Sequence, residues 1–128
     1  TLHSGLDIAY LHERHSTPQM MRRMLDATGG GNICLAHMGS LLCWDEAEQI
    51  LIGENCYFDC ANILHRMDDE QLLRIIRNHG TKRILFGSDS PWVDLKFYVD
   101  YFNNLPLTAQ EKEDILANNA LHYLGLEK

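Results

Sequence analysis

No apolar run in this chain of 128 residues approaches the roughly 18–20 residues that a membrane-spanning helix needs. The opening residues, TLHSGLDIAY, also lack the basic and apolar regions of a secretory signal. Basic residues are scarce: 11 Lys and Arg stand against 18 Asp and Glu, for a net charge of -7. No basic stripe is present, which excludes a surface that tracks nucleic-acid phosphates. The four cysteines, Cys34, Cys43, Cys56 and Cys60, include no C-x2-C pair. Three of them lie in the apolar runs NICLAH and NCYFDC, where cysteine acts as a small hydrophobe. The expectation is therefore reduced thiols in a reducing, cytoplasmic compartment. No low-complexity segment, linker or long internal repeat divides residues 1–128.

With 45% apolar and 23% charged residues, the chain has the composition of one globular domain. Strand-like apolar segments recur at Ile33 to His37, Cys56 to Cys60 and Ile84 to Phe86, and each gives way to helical spacing. In STPQMMRRMLDATGGG, Thr17 is placed to cap and Pro18 to occupy the first helical position. Met20, Met21, Met24 and Leu25 form an apolar face there, and Gly29 to Gly31 close the helix. CWDEAEQILIGE predicts a helix capped by Asp45 with Glu48 three residues on, and MDDEQLLRIIRNHG one capped by Asp68 or Asp69 and closed by Gly80. LTAQEKEDILANNALHYLGL predicts a last helix with a Thr108–Glu111 capping box and a stop at Gly125. Strand and helix alternating at this pitch predict an α/β fold with parallel strands. Only two or three residues before His3 can be strand, so the first strand reads as amputated. The sum is about four strands and four helices, half of a (β/α) parallel barrel of TIM type, which needs about 250 residues to close. An open four-stranded sheet or a small doubly wound binding module fits the same pattern.

The polar residues at the strand ends carry the chemistry. ILFGSDSPW ends an apolar run on the single carboxylate Asp89, and the segments LHSG and LAHMG end on His3 and His37. Taken singly, each is an ordinary strand-end or turn residue. In a parallel α/β arrangement all three reach the same rim, and two imidazoles with one carboxylate make a donor set for a borderline divalent ion. Gly5, Gly39 and Gly87 flank them and leave room for an ion or a substrate.

HSGLDIAY, AHMG, YFDCA, RILFGSDSPW and ILANNALHYLGL together resemble the carboxyl-terminal half of the amidohydrolase-related TIM-barrel enzymes, from His3 to Leu126. That branch holds metal-dependent hydrolases, lactonases and nonoxidative decarboxylases. The resemblance implies that residues 1–128 are the second half of one barrel domain, without its amino-terminal half. It implies that His3 binds metal after the fifth strand and that His37, after the sixth, binds metal or a substrate oxygen. Asp89, after the eighth, touches the metal and takes a proton from its bound water. Asp89 and His37 are thus the expected catalytic residues, and His3, His37 and Asp89 the metal ligands of a zinc ion, or of manganese. The H-x-H pair that family members carry on the first strand is absent: His12 and His15 have the wrong spacing. The implied reaction is hydrolysis of an amide, ester or lactone of a small molecule by a metal-activated water. A decarboxylase on the same fold is the alternative, as is an inactive half-barrel that self-associates or binds its missing half. In the loop YLHERHSTP, Arg14, His12 or His15 would bind an anionic substrate or simply face solvent. Trp92 would line the substrate pocket or the core, and Trp44 would pack the helix after His37. Asp7 orients the loop or a ligand, and Asp59 supports the site or ends its strand.

Overall fold

A computed structural model describes residues 1–10 and 12–127, so that Leu11 of the YLHERHSTP loop lies outside the described residues. Three strands, β1 (Cys34–Leu35), β2 (Tyr57–Asp59) and β3 (Ile84–Leu85), run parallel in that order. Cys34 and Leu35 pair with Tyr57 and Phe58, while Phe58 and Asp59 pair with Ile84 and Leu85. The abbreviated first strand survives as one parallel bridge, Leu2 to Leu35. There Leu2 donates to the Cys34 carbonyl at 2.8 Å and accepts from the Ala36 N–H at 2.9 Å. Each strand position thus lies beside its predecessor with helix between, the progression of a (β/α) barrel.

The strands are shorter than their apolar runs, because the backbone leaves the sheet at the rim. His37 and Met38 take φ of 61° and 53°, left-handed values that end pairing at once. Helix α1 (Pro18–Thr28) follows the expected punctuation, with Thr17 accepting from the Met20 N–H and Gly29 left-handed at its end. Helix α2 (Trp44–Ile50) does not: it starts after Cys43 without a side-chain cap. Asp45 and Glu48 reach instead to α3 (Asp69–His79), taking Gln71 at 2.8 Å and Arg74 at 2.6 Å. Asp68 caps α3 by accepting from the N–H groups of Glu70 and Gln71. Beyond the four expected helices there is a further one, α4 (Leu95–Asn104), capped by Asp94 on the Phe97 N–H.

The last helical run is interrupted. Helix α5 (Ala109–Glu113), with its Thr108–Glu111 capping box, leads into a π turn over Asp114–Asn118 and then α6 (Asn119–Tyr123). Widening the turn leaves carbonyls without their usual i+4 partner. The Ile115 carbonyl accepts instead from Phe86 N–H at 2.9 Å, just past β3. Asn119 donates to the Thr81 and Ile84 carbonyls at 2.7 and 2.8 Å, so its buried amide serves the outer edge of β3.

Sheet register sorts the side chains into two layers. Leu35, Phe58 and Ile84, all fully buried, form one row against α1, α3 and α4 through Leu25, Leu72, Ile76 and Phe102. Each such side chain withdrawn from water contributes about 1.5–3 kcal/mol. Cys34, Tyr57 and Leu85 point the other way and meet Ala120 and Tyr123. The four cysteines are free, and burial raises the Cys34, Cys56 and Cys60 thiols, Cys56 to about 12. They therefore stay protonated and act as packing atoms. Among the described residues no helix is long and apolar enough to cross a membrane.

His79 stacks on Phe58 at 3.9 Å between ring centroids. Its Nδ1 accepts from the Gly53 N–H at 3.2 Å and its Nε2–H donates to the Cys56 carbonyl at 3.0 Å. Burial holds its pKa down at about 4. Below about pH 6.5 the unfolded chain takes up a proton that the native ring refuses, so folding stability falls as pH drops from 6.5 toward 4. Urea denaturation should show the protein losing roughly 2 kcal/mol more between pH 7 and pH 5 than His79→Gln does. Equal losses would rule out the buried neutral ring as their source.

Candidate active site

The rim begins with a close approach of two loops. Gly5, at φ 100°, lies so near Leu41 that a Cβ there would stand 2.0 Å from the Leu41 nitrogen. Leu41 donates to the Ser4 carbonyl at 2.8 Å, and Leu6 donates to the Leu41 carbonyl at 2.9 Å. The hydroxyl of buried Ser4 adds a 2.8 Å-class bond to the neighbouring strand, donating to the Ala36 carbonyl at 2.7 Å. His3 is thereby held beside the loop that follows β1.

His37 is fixed by its neighbour strand. One oxygen of Asp59, Oδ1, accepts from the His37 N–H at 2.9 Å and from the Ala61 N–H at 3.0 Å. The Asp59 carbonyl takes the Met38 N–H at 2.7 Å. The left-handed turn at His37 and Met38 is therefore paired at each donor, which offsets a backbone cost of about 1–3 kcal/mol per strained residue. Gly39 completes the turn against the Phe58 ring, where a Cβ would come within 2.9 Å. Trp44 donates its indole N–H to the His37 carbonyl at 3.0 Å. The Ala61 carbonyl accepts from His37 Nδ1 at 2.8 Å. A carbonyl can only accept, so the ring proton sits on Nδ1 and Nε2 is left as an acceptor. That Nε2 lies 3.2 Å from His3 Nδ1, the two rings meeting edge to face.

Asp89 stands at the same rim beyond β3 with φ of 64°. Its Oδ2 accepts from Asn62 Nδ2 at 3.1 Å, and Asn62 Oδ1 in turn accepts from Arg66 Nε at 3.2 Å. Asn62 is buried and also left-handed, at φ 54°. The short turn that carries it is pinned from α4: Tyr98 Oη accepts from the Leu64 N–H at 2.9 Å and donates to the Cys60 carbonyl at 2.6 Å.

These groups share one cavity of about 590 Å³, lined by His3, His37 and Asp89 together with Asn62, Arg66 and Trp92, and closed by Asp7, Ile8, Ala9 and Leu41. Arg14 and His15 are not on its wall. Gly5 and Ser16 form an antiparallel bridge that pinches the intervening loop, and His15 pairs with Glu13 at 2.7 Å on the exposed side. Asp7 accepts from the Ala9 N–H at 2.9 Å and shapes the loop where it meets the cavity. Asn62 and Arg66 escape sequence reading because neither belongs to a strand-end or metal motif.

The chemistry of a divalent ion fits the paired imidazoles: two nitrogens face one another, and the His37 tautomer leaves Nε2 available. Among the described residues, however, no group of three or more His, Cys, Asp or Glu side chains lies close enough to hold an ion. Asp89 shares the cavity but is not drawn into one coordination group with His3 and His37.

Parallel strands in barrel order, with polar side chains gathered at their carboxyl ends, define a (β/α)-barrel enzyme-type fold. The chain belongs to the amidohydrolase family, whose model, described as Amidohydrolase, matches residues 3–126. No curated protein sequence matches it. Among solved structures it is similar to 2,6-dihydroxybenzoate decarboxylase from Rhizobium, at 20% identity and a TM-score of 0.62, over 82% of this chain and 38% of that one. A dihydroxybenzoic acid decarboxylase from a Polaromonas species, with bound manganese and the inhibitor 2-nitroresorcinol, matches at 20% identity and a TM-score of 0.65, over 87% and 39%. A protein assigned as a candidate 2-pyrone-4,6-dicarboxylic acid hydrolase from Pseudomonas putida matches at 20% and 0.68, over 87% and 48%. At this identity the likeness establishes the fold. The chain spans less than half the length of each of these relatives.

Removing the Asp59 carboxylate should strand two rim N–H groups. We expect Asp59→Ala to cost about 2–4 kcal/mol in urea denaturation, with Asp59→Asn, which keeps an acceptor oxygen, well below that. A loss under about 1 kcal/mol in Asp59→Ala would contradict the clamp.

Proposed function

We propose that this chain carries the His3, His37 and Asp89 side of the active site of a metal-dependent hydrolase that cleaves an amide, ester or lactone of a small molecule. The observation that carries the reading is the convergence of those three side chains on one cavity from three separate strand ends. The ion in this reading is divalent, zinc or alternatively manganese. Further donors would come from the amino-terminal half of a complete barrel, contributed by the same polypeptide, by a separate chain or within a homo-oligomer.

A divalent ion bound at the imidazoles supplies a Lewis acid and brings the pKa of water down to about 7. The remaining steps belong to side chains of this chain. Asp89, with Oδ2 engaged by Asn62, keeps Oδ1 for the proton that leaves the attacking water. His37, locked through Nδ1, holds Nε2 toward the reacting centre. Trp92 and Leu41 give the substrate an apolar wall. Arg66 in the same cavity favours a second reading, nonoxidative decarboxylation, in which the reacting group is itself a carboxylate.

In the active protein, Asp89→Asn should lower turnover by about 10²–10⁴-fold while leaving the thermal midpoint nearly unchanged. Product analysis separates the two readings, since hydrolysis adds water across the scissile bond and decarboxylation releases CO2. Unchanged turnover in Asp89→Asn would refute the role of Asp89.

A further inference from the structure

We propose that Arg66 anchors a carboxylate on the molecule that occupies the cavity, so that the substrate of this site is an organic acid with an apolar body. The inference deepens the proposed function and rests on it for the location of the site. Anion recognition moves with it, from the Arg14 loop to the segment after β2.

Three observations support the anchor. Arg66 lies on the wall shared with His3, His37 and Asp89, whereas Arg14 does not. Its guanidinium is oriented through one nitrogen only, Nε, which donates to Asn62 Oδ1 at 3.2 Å. Asn62 is buried, and its amide is set by its second bond to Asp89, so its oxygen must face Arg66. Among the described residues no acidic side chain forms an ion pair with Arg66. The two terminal nitrogens are therefore left for a ligand, and their planar fork matches the two oxygens of a carboxylate.

The rest of the wall gives the ligand its body. Ile8, Leu41 and Trp92 are apolar, and Trp92 presents most of its ring, 78% exposed. A flat apolar acid can stack there while its carboxylate meets Arg66. The other ionisable groups on the wall are His3, His37, Asp7 and Asp89, so Arg66 is the cation to which an acid would turn.

Calorimetric titration with benzoate and with its neutral isostere benzamide tests the anchor. The protein is first stripped of metal and returned to chelator-free buffer, so that no ion can hold the carboxylate. Benzoate should bind about 10- to 100-fold more tightly than benzamide. Arg66→Gln should erase that difference and Arg66→Lys keep part of it, with circular dichroism matching the parent in both. Absence of benzoate binding, equal binding of the two ligands, or unchanged benzoate preference in Arg66→Gln would each overturn the anchor. The two readings fail separately. Benzoate selectivity that depends on Arg66 in a protein with no hydrolytic turnover supports the anchor and defeats the reaction. Turnover lost in Asp89→Asn beside benzoate binding indifferent to Arg66 does the reverse.

Discussion

One carboxylate oxygen, Asp59 Oδ1, makes the rim of this sheet possible. A chain leaving a parallel strand must turn sharply, and β1 does so through two consecutive left-handed residues, His37 and Met38, neither of them glycine. Such a turn withdraws backbone N–H groups from the ladder and buries them beside the neighbouring strand. Asp59 takes the His37 N–H and the Ala61 N–H on one oxygen, and its own carbonyl takes that of Met38. The strain of the turn is balanced by groups already present on β2.

The cavity follows from that arrangement. With the His37 backbone fixed, the Ala61 carbonyl can reach Nδ1, and the ring presents Nε2 to His3. Left-handed geometry recurs at Asn62 and Asp89, so three polar residues of the cavity stand on backbone that strand or helix would not provide. Asn62 then joins the two sides, with Asp89 on its amide nitrogen and Arg66 on its oxygen. Rigidity of this kind suits a site whose groups must act without rearranging.

Much of this was readable from local signals. The caps at Thr17, Asp68 and Thr108 need only a polar side chain three residues before a free N–H, and the structure uses each one. Parallel strands and their order followed from apolar runs separated by helical spacing. The strand-end positions of His3, His37 and Asp89 followed from where those runs stopped. What escaped was long-range. Asp45 and Glu48 look like a capping box, but α3 brings Gln71 and Arg74 to them from 23 to 26 residues away. Arg66 and Asn62 depend on a turn held by Tyr98, 34 residues on from Leu64. The Arg14 loop has the composition of an anion site, yet the bridge between Gly5 and Ser16 turns it aside. Helix α4 had the spacing of Tyr98 and Phe102 to announce it, and the exposed Trp92 and Leu95 before them obscured the apolar face.

The central claim is that paired imidazoles from two neighbouring strand ends form the nitrogen face of a metal centre. Divalent metal content after exhaustive dialysis measures it directly in the active protein. The account predicts bound metal in the parent and in Arg66→Gln, and its loss when His3 and His37 are both replaced by alanine. Metal retained in full by that double variant, or absent from the parent even when zinc and manganese are supplied, would contradict it.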